Sequence, residues 1–66
     1  MKVQVNNQEM ELSAQSSIQQ LSETMELPQA GVAIAVNNKM VPRTQWHQFF
    51  LQENDQVVII KAACGG

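Results

Sequence analysis

Only one stretch of this 66-residue chain has helical spacing. Ile18, Leu21 and Met25 recur at intervals of three and four residues, with Gln19, Gln20 and Glu23 on the other side. That spacing predicts one amphipathic helix, of about two to three turns. The flanking segments have the period of strands instead. Met1-Lys2-Val3-Gln4-Val5 and Glu9-Met10-Glu11-Leu12 alternate apolar and polar residues around Asn6-Asn7-Gln8, and Asn tolerates the left-handed dihedrals of a turn. The first twelve residues therefore read as a β-hairpin. A lone helix between a leading hairpin and later strands must cover one face of a small mixed sheet, which is an α+β layer.

The remaining segments fill in that layer. Ser16 or Ser17 is placed to accept a hydrogen bond from the first helical turn. Pro28 is expected to stop the helix, with Leu27 tucked beneath it. Val32-Ala33-Ile34-Ala35-Val36 is an apolar run that suits a strand buried on both faces or nearly so. Its two alanines suggest that another element crosses closely there. Asn37-Asn38 is a two-residue hairpin turn, and Lys39-Met40-Val41 returns as a short strand that ends at Pro42. Arg43–Gln48 reads as a turn or short helix with Thr44 as a candidate cap, followed by the bulky Phe49, Phe50 and Leu51. Glu53-Asn54-Asp55 is a turn, and Gln56 to Lys61 is the last strand.

Sixty-six residues make one domain with little core to bury. One cysteine forms no internal disulfide, and one Cys with one His cannot build a structural zinc site. Stability must come from packing. Four scattered basic residues, Lys2, Lys39, Arg43 and Lys61, face six acidic ones, for a net charge of −2. That argues against a nucleic-acid partner, which needs clustered positive charge. Residues 1–12 lack the continuous apolar core of a signal peptide, and no run approaches a membrane span. A single thiol without an export signal points to the cytoplasm.

The last strand runs directly into Ala62, Ala63, Cys64, Gly65 and Gly66. Glycine has no Cβ, so its backbone enters channels that a side chain would block. A Gly-Gly end on a small body reads as an arm that carries one carboxylate to another protein's active site. It also reads as a frayed terminus. If the final strand lies centrally beside the first, the sheet becomes the β-grasp, or ubiquitin-like, roll, and the arm leaves it into solvent.

Val36-Asn37-Asn38-Lys39-Met40-Val41-Pro42-Arg43, then Trp46, the acidic turn Glu53-Asn54-Asp55-Gln56-Val57 and the terminal Gly65-Gly66 together resemble the ThiS family, the bacterial sulfur carriers of thiamine biosynthesis. The similarity runs the length of the chain. Pro-Arg-x-x-Trp is the more specific part. The acidic turn and Gly-Gly are shared with the small subunit of molybdopterin synthase. Carriers of this kind usually have small or aliphatic residues before Gly-Gly, and Cys64 departs from that.

The resemblance implies a β-grasp body over residues 1–61 and a flexible tail over 62–66. It implies that the chain is a co-substrate rather than an enzyme. The Gly66 carboxylate is adenylated and becomes a thiocarboxylate, and Gly65, Cys64, Ala63 and Ala62 form the tail that enters partner active sites. The implied partners are an E1-like adenylating enzyme that uses ATP and magnesium, thiazole synthase as acceptor, and a cysteine desulfurase as the indirect source of sulfur. The chain itself binds no metal or cofactor. The alternatives are a molybdopterin-type carrier, a ubiquitin-like modifier joined to lysines through Gly66, and a non-covalent binding module.

Other residues read more plainly. Cys64 is an incidental thiol rather than a persulfide relay, since nothing near it in sequence lowers its pKa. His47 lacks a partner in sequence and reads as a surface or packing residue. Trp46, Phe49 and Phe50 read as core, and the four methionines as gap-fillers. Arg43 is open between a partner contact and a solvated charge.

Overall fold

The computed structural model describes residues 1–28 and 30–61. It contains strands β1 (Lys2–Val5) and β2 (Gln8–Glu11), helix α1 (Ile18–Thr24), strands β3 (Val32–Val36) and β4 (Lys39–Val41), a 3-10 helix (Arg43–Gln48), and strand β5 (Gln56–Lys61). The strands form one five-stranded sheet in the order β2-β1-β5-β3-β4. The last strand is therefore the central one. It pairs parallel to β1 and antiparallel to β3.

Two Asn-Asn turns set the register of the outer hairpins. Asn6 and Asn7 have φ of 52° and 68°, and Asn37 and Asn38 have 52° and 72°. Positive φ at both central residues is the type I′ turn, whose twist matches that of paired strands. Val5 then pairs with Gln8, and Val36 with Lys39. Asparagine takes this conformation more readily than other non-glycine residues.

Helix α1 is closed at both ends by local bonds. The Ser17 hydroxyl accepts from the Gln20 amide at 3.1 Å, and the Gln20 side chain accepts from the Ser17 amide at 2.8 Å. This reciprocal capping box names Ser17 as the cap. Ser16 instead donates to the Ser13 carbonyl. The helix ends earlier than Pro28. Glu26 turns left-handed at φ 56°, and the amides of Glu26 and Leu27 bond back to the carbonyls of Glu23 and Ser22. That is a Schellman motif with glutamate in the place that glycine usually holds.

Ile18 and Leu21 of α1 are buried against Val3, Val5, Ile34, Val36, Val41, Val57 and Ile59 of the sheet, with Trp46 and Leu51 closing the end. Trp46 is 1% exposed, and its indole N–H donates to the Val41 carbonyl at 2.9 Å. Burial of this donor without a partner would be costly, so the bond decides how the ring sits. Arg43 lies over the same ring, 4.2 Å from its centroid. No side-chain cap forms on the 3-10 helix, whose cap position is Pro42 rather than Thr44.

Phe50 departs from the expected core. It is 56% exposed, whereas Phe49 is half-buried and Leu51 buried. The reason is local geometry. Residues 49–51 run extended beside the helix entrance: Ser17 and Phe50 form an antiparallel bridge, Ile18 donates to the Phe49 carbonyl, and Leu51 donates to the Ser16 carbonyl. An extended segment alternates its side chains, so the middle one of three apolar residues faces outward.

Candidate functional site

The candidate site is built on β5, because this strand leads to the Gly-Gly end. β5 alternates strictly. Val57 and Ile59 are buried beneath α1, while Val58 and Ile60 point to the opposite face and are 42% and 50% exposed. No described element covers that face. Ala35 pairs with Val58 on one side and Met40 on the other, and Ala33 pairs with Ile60. The small residues of β3 thus lie in an open apolar face, where Met40 is 60% exposed. This corrects two expectations. β3 has no exposed residue, as expected, and Ala35 is buried on the face without a helix, but among the described residues its alanines mark no crossing element. Met40 fills no gap, unlike Met1, Met10 and Met25, which pack against the core.

The other half of the same face is polar. Lys2 and Gln4 of β1 pair with Glu11 and Glu9 of β2, and the Lys2 ammonium lies 3.8 Å from Glu9. The face is therefore divided into an apolar β5-β3-β4 half and a charged β1-β2 half. A shallow hollow lined by Gly31, Val32, Ala33 and Ile60 lies where β5 ends, opposite Val32.

Two asparagines hold β5 from its two sides. The Asn37 side chain accepts from the Gln56 amide at 3.0 Å and donates to the Asp55 carboxylate at 3.0 Å. The Asn6 side chain accepts from the Ile59 amide at 2.8 Å and donates to the Ile59 carbonyl at 3.4 Å. Both were legible only as turn residues. Their second role depends on which strand lies beside each turn, and no local sequence signal carries that.

The acidic turn is anchored rather than chemical. The backbone amide of Gln52 donates to the Asp55 carboxylate, and that of Lys2 to the Glu53 carboxylate. It leads into β5 without forming a hairpin, since Phe50 bridges to Ser17 instead. His47 is exposed on the 3-10 helix. Among the described residues no group of three His, Cys, Asp or Glu side chains could hold a metal ion, and no helix is long and apolar enough to cross a membrane. The expected site residues Ala62, Ala63, Cys64, Gly65 and Gly66 lie outside the described residues.

A five-stranded mixed sheet, one covering helix and a central final strand that leads to Gly-Gly define a β-grasp, ubiquitin-like protein of the small carrier class. The ThiS family model matches residues 3–66, and this chain belongs to the ThiS family. It is 36% identical over 66 residues to the Escherichia coli (strain K12) protein named sulfur carrier protein ThiS, covering all of both chains. Its fold matches the crystal structure of the thiamine biosynthesis protein ThiS from Geobacter metallireducens at a TM-score of 0.85, with 19% identity and full coverage of both chains.

Proposed function

We propose that this chain is a sulfur carrier of thiamine biosynthesis that works through the α-carboxylate of Gly66. The observation that carries the reading is the family match over residues 3–66, which includes Gly65 and Gly66. The 36% identity to the E. coli sulfur carrier over the whole of both chains supports it.

A carboxylate is a poor acyl donor because its oxygen leaves badly. Attack of a Gly66 carboxylate oxygen on the α-phosphorus of ATP releases pyrophosphate and forms an acyl-adenylate. Hydrosulfide, or the terminal sulfur of a persulfide whose S–S bond a thiol then cleaves, displaces AMP. The product is a thiocarboxylate on Gly66. The difficult substitution is thereby divided into easier steps. The adenylating enzyme supplies ATP and magnesium, a cysteine desulfurase supplies the sulfur upstream, and thiazole synthase accepts it. The carrier contributes the carboxylate, a tail of residues 62–66 narrow enough to reach the nucleotide, and a docking face. The apolar half of the open sheet face, Met40, Val58 and Ile60 beside Ala33 and Ala35, is that face. Exposed apolar patches rimmed by polar residues are characteristic of protein interaction sites.

The test is the mass of the C-terminal fragment after incubation with ATP, magnesium, the adenylating enzyme and a sulfur source. ATP-dependent sulfur on Gly66 is the expected result. Fragmentation is needed because exchange of oxygen for sulfur has nearly the mass of one oxidation, to which Cys64 and the methionines are prone. An unmodified Gly66 in the presence of an active enzyme rejects the reading, and lysine-linked conjugates would replace it with that of a protein modifier.

A further inference from the structure

β5 is longer than the strand beside it. β1 pairs with β5 only at Gln4↔Gln56 and Val5↔Val57, whereas β3 accompanies β5 up to Val32↔Lys61. On the β1 side, the last residues of β5 overhang. The ladder points the N–H and C=O of alternate residues to that side: Val57 O accepts from the Asn6 amide at 2.9 Å, and Ile59 is next in the same orientation. No strand reaches Ile59 there among the described residues. The Asn6 carboxamide does, meeting both its N–H and its C=O. A primary amide carries an acceptor and a donor side by side, as a peptide unit does. Asn6 thus adds one rung to the parallel ladder after β1 has turned away.

We propose that Asn6 is a positioning residue for transfer chemistry at Gly66: by pinning Ile59, it fixes the direction in which β5 delivers the tail. The role rests on the sulfur-carrier reading above. Asn6 touches no reacting atom. It acts through the backbone of β5, two residues before Lys61. Without the clamp the end of β5 is held from the β3 side alone, and a smaller fraction of docked molecules aims the tail into the partner's channel. Asn37 is the internal comparison. Its carboxamide oxygen also accepts from a β5 amide, but at Gln56, the end far from the tail, and its NH2 goes to the Asp55 carboxylate instead of a backbone carbonyl.

The test pairs Asn6→Gly with Asn37→Gly. Glycine keeps the positive φ that each turn needs and deletes only the carboxamide. The readouts are thermal stability, hydrogen exchange at the Ile59 amide, and the rate of ATP-dependent adenylation against carrier concentration. Both variants are expected to lose similar stability. Asn6→Gly alone should speed exchange at Ile59 and raise KM about fivefold with kcat kept, as loss of a competent subpopulation does. Asn37→Gly should leave both kinetic constants within about twofold. Equal KM values for Asn6→Gly and the wild type, or equal increases in both variants, would overturn the positioning role while adenylation of the wild type upholds the carrier reading. A wild-type chain that an enzyme active on its own carrier fails to adenylate removes both.

Discussion

Val57 and Ile59 point to one side of β5, and Val58 and Ile60 to the other. All four are aliphatic and β-branched, and they are consecutive residues of one strand. The first pair is under a helix and the second is not. Composition is the same on both faces, so hydrophobicity alone does not say what each is for. On the covered face, apolar residues hold the domain together. On the open face, Ala35 lies between its cross-strand neighbours Met40 and Val58, and no described element covers the exposed aliphatics. A small domain can keep such a face because its polar half, Lys2, Gln4, Glu9 and Glu11, limits the apolar area presented to water.

The largest expected contrast comes from Trp46→Ala. It empties the end of the covered core and leaves the Val41 carbonyl without its donor, so unfolding free energy should fall by about 3–5 kcal/mol in denaturant titration. In a domain this small, that is most or all of its stability. The next contrast is made within β5. Val57→Thr with Ile59→Thr places two hydroxyls in the core, at about 1–3 kcal/mol each in the same titration. Val58→Thr with Ile60→Thr keeps β-branching in water and should change stability by under about 1 kcal/mol, yet raise KM for adenylation about tenfold through lost docking contacts. Similar stability losses for the two double variants would erase the distinction between the faces.

Smaller effects sharpen it. Ser17→Ala removes the capping box from the helix that covers the core. It should cost about 1 kcal/mol in thermal or denaturant unfolding and leave KM for adenylation unchanged. Glu26→Gly relieves a left-handed glutamate at the other end of the helix and should raise stability by about 0.5–1 kcal/mol by the same measurement, again with KM unchanged.

The local parts of this fold are written plainly in the residues. Asn-Asn twice, each between alternating segments, marks both hairpins, and Ile18, Leu21 and Met25 mark the helix. Helix termination was less legible, because Pro28 is a strong stop signal and the left-handed turn two residues earlier is made by glutamate, which carries no such signal. The exposure of Phe50 is hidden for a related reason. Three bulky residues in a row suggest burial, but once residues 49–51 are extended only alternate ones can face the core. The central place of β5 was the least accessible. Gln4 pairs with Gln56 across most of the chain, and parallel pairing at that distance leaves no local trace. The resemblance to the ThiS family supplied it. The open apolar face and the two clamps on β5 follow from that placement, so they were equally hidden, whereas Gly65-Gly66 was visible from the start.

Strand order has a further consequence for how the molecule is made. In the order β2-β1-β5-β3-β4, the two hairpins are neighbours of β5 and not of each other. Isolated two-stranded hairpins are marginal in water. Until the last strand is synthesised, the chain holds two unconnected halves and a helix with half a surface to cover. Closing the sheet joins segments far apart in sequence, which is the slow step in folds of this kind. A chain cut short before residue 56 lacks the strand on which both hairpins pair. Folding in this protein therefore acts as a length check: a compact copy is one whose synthesis has passed through β5.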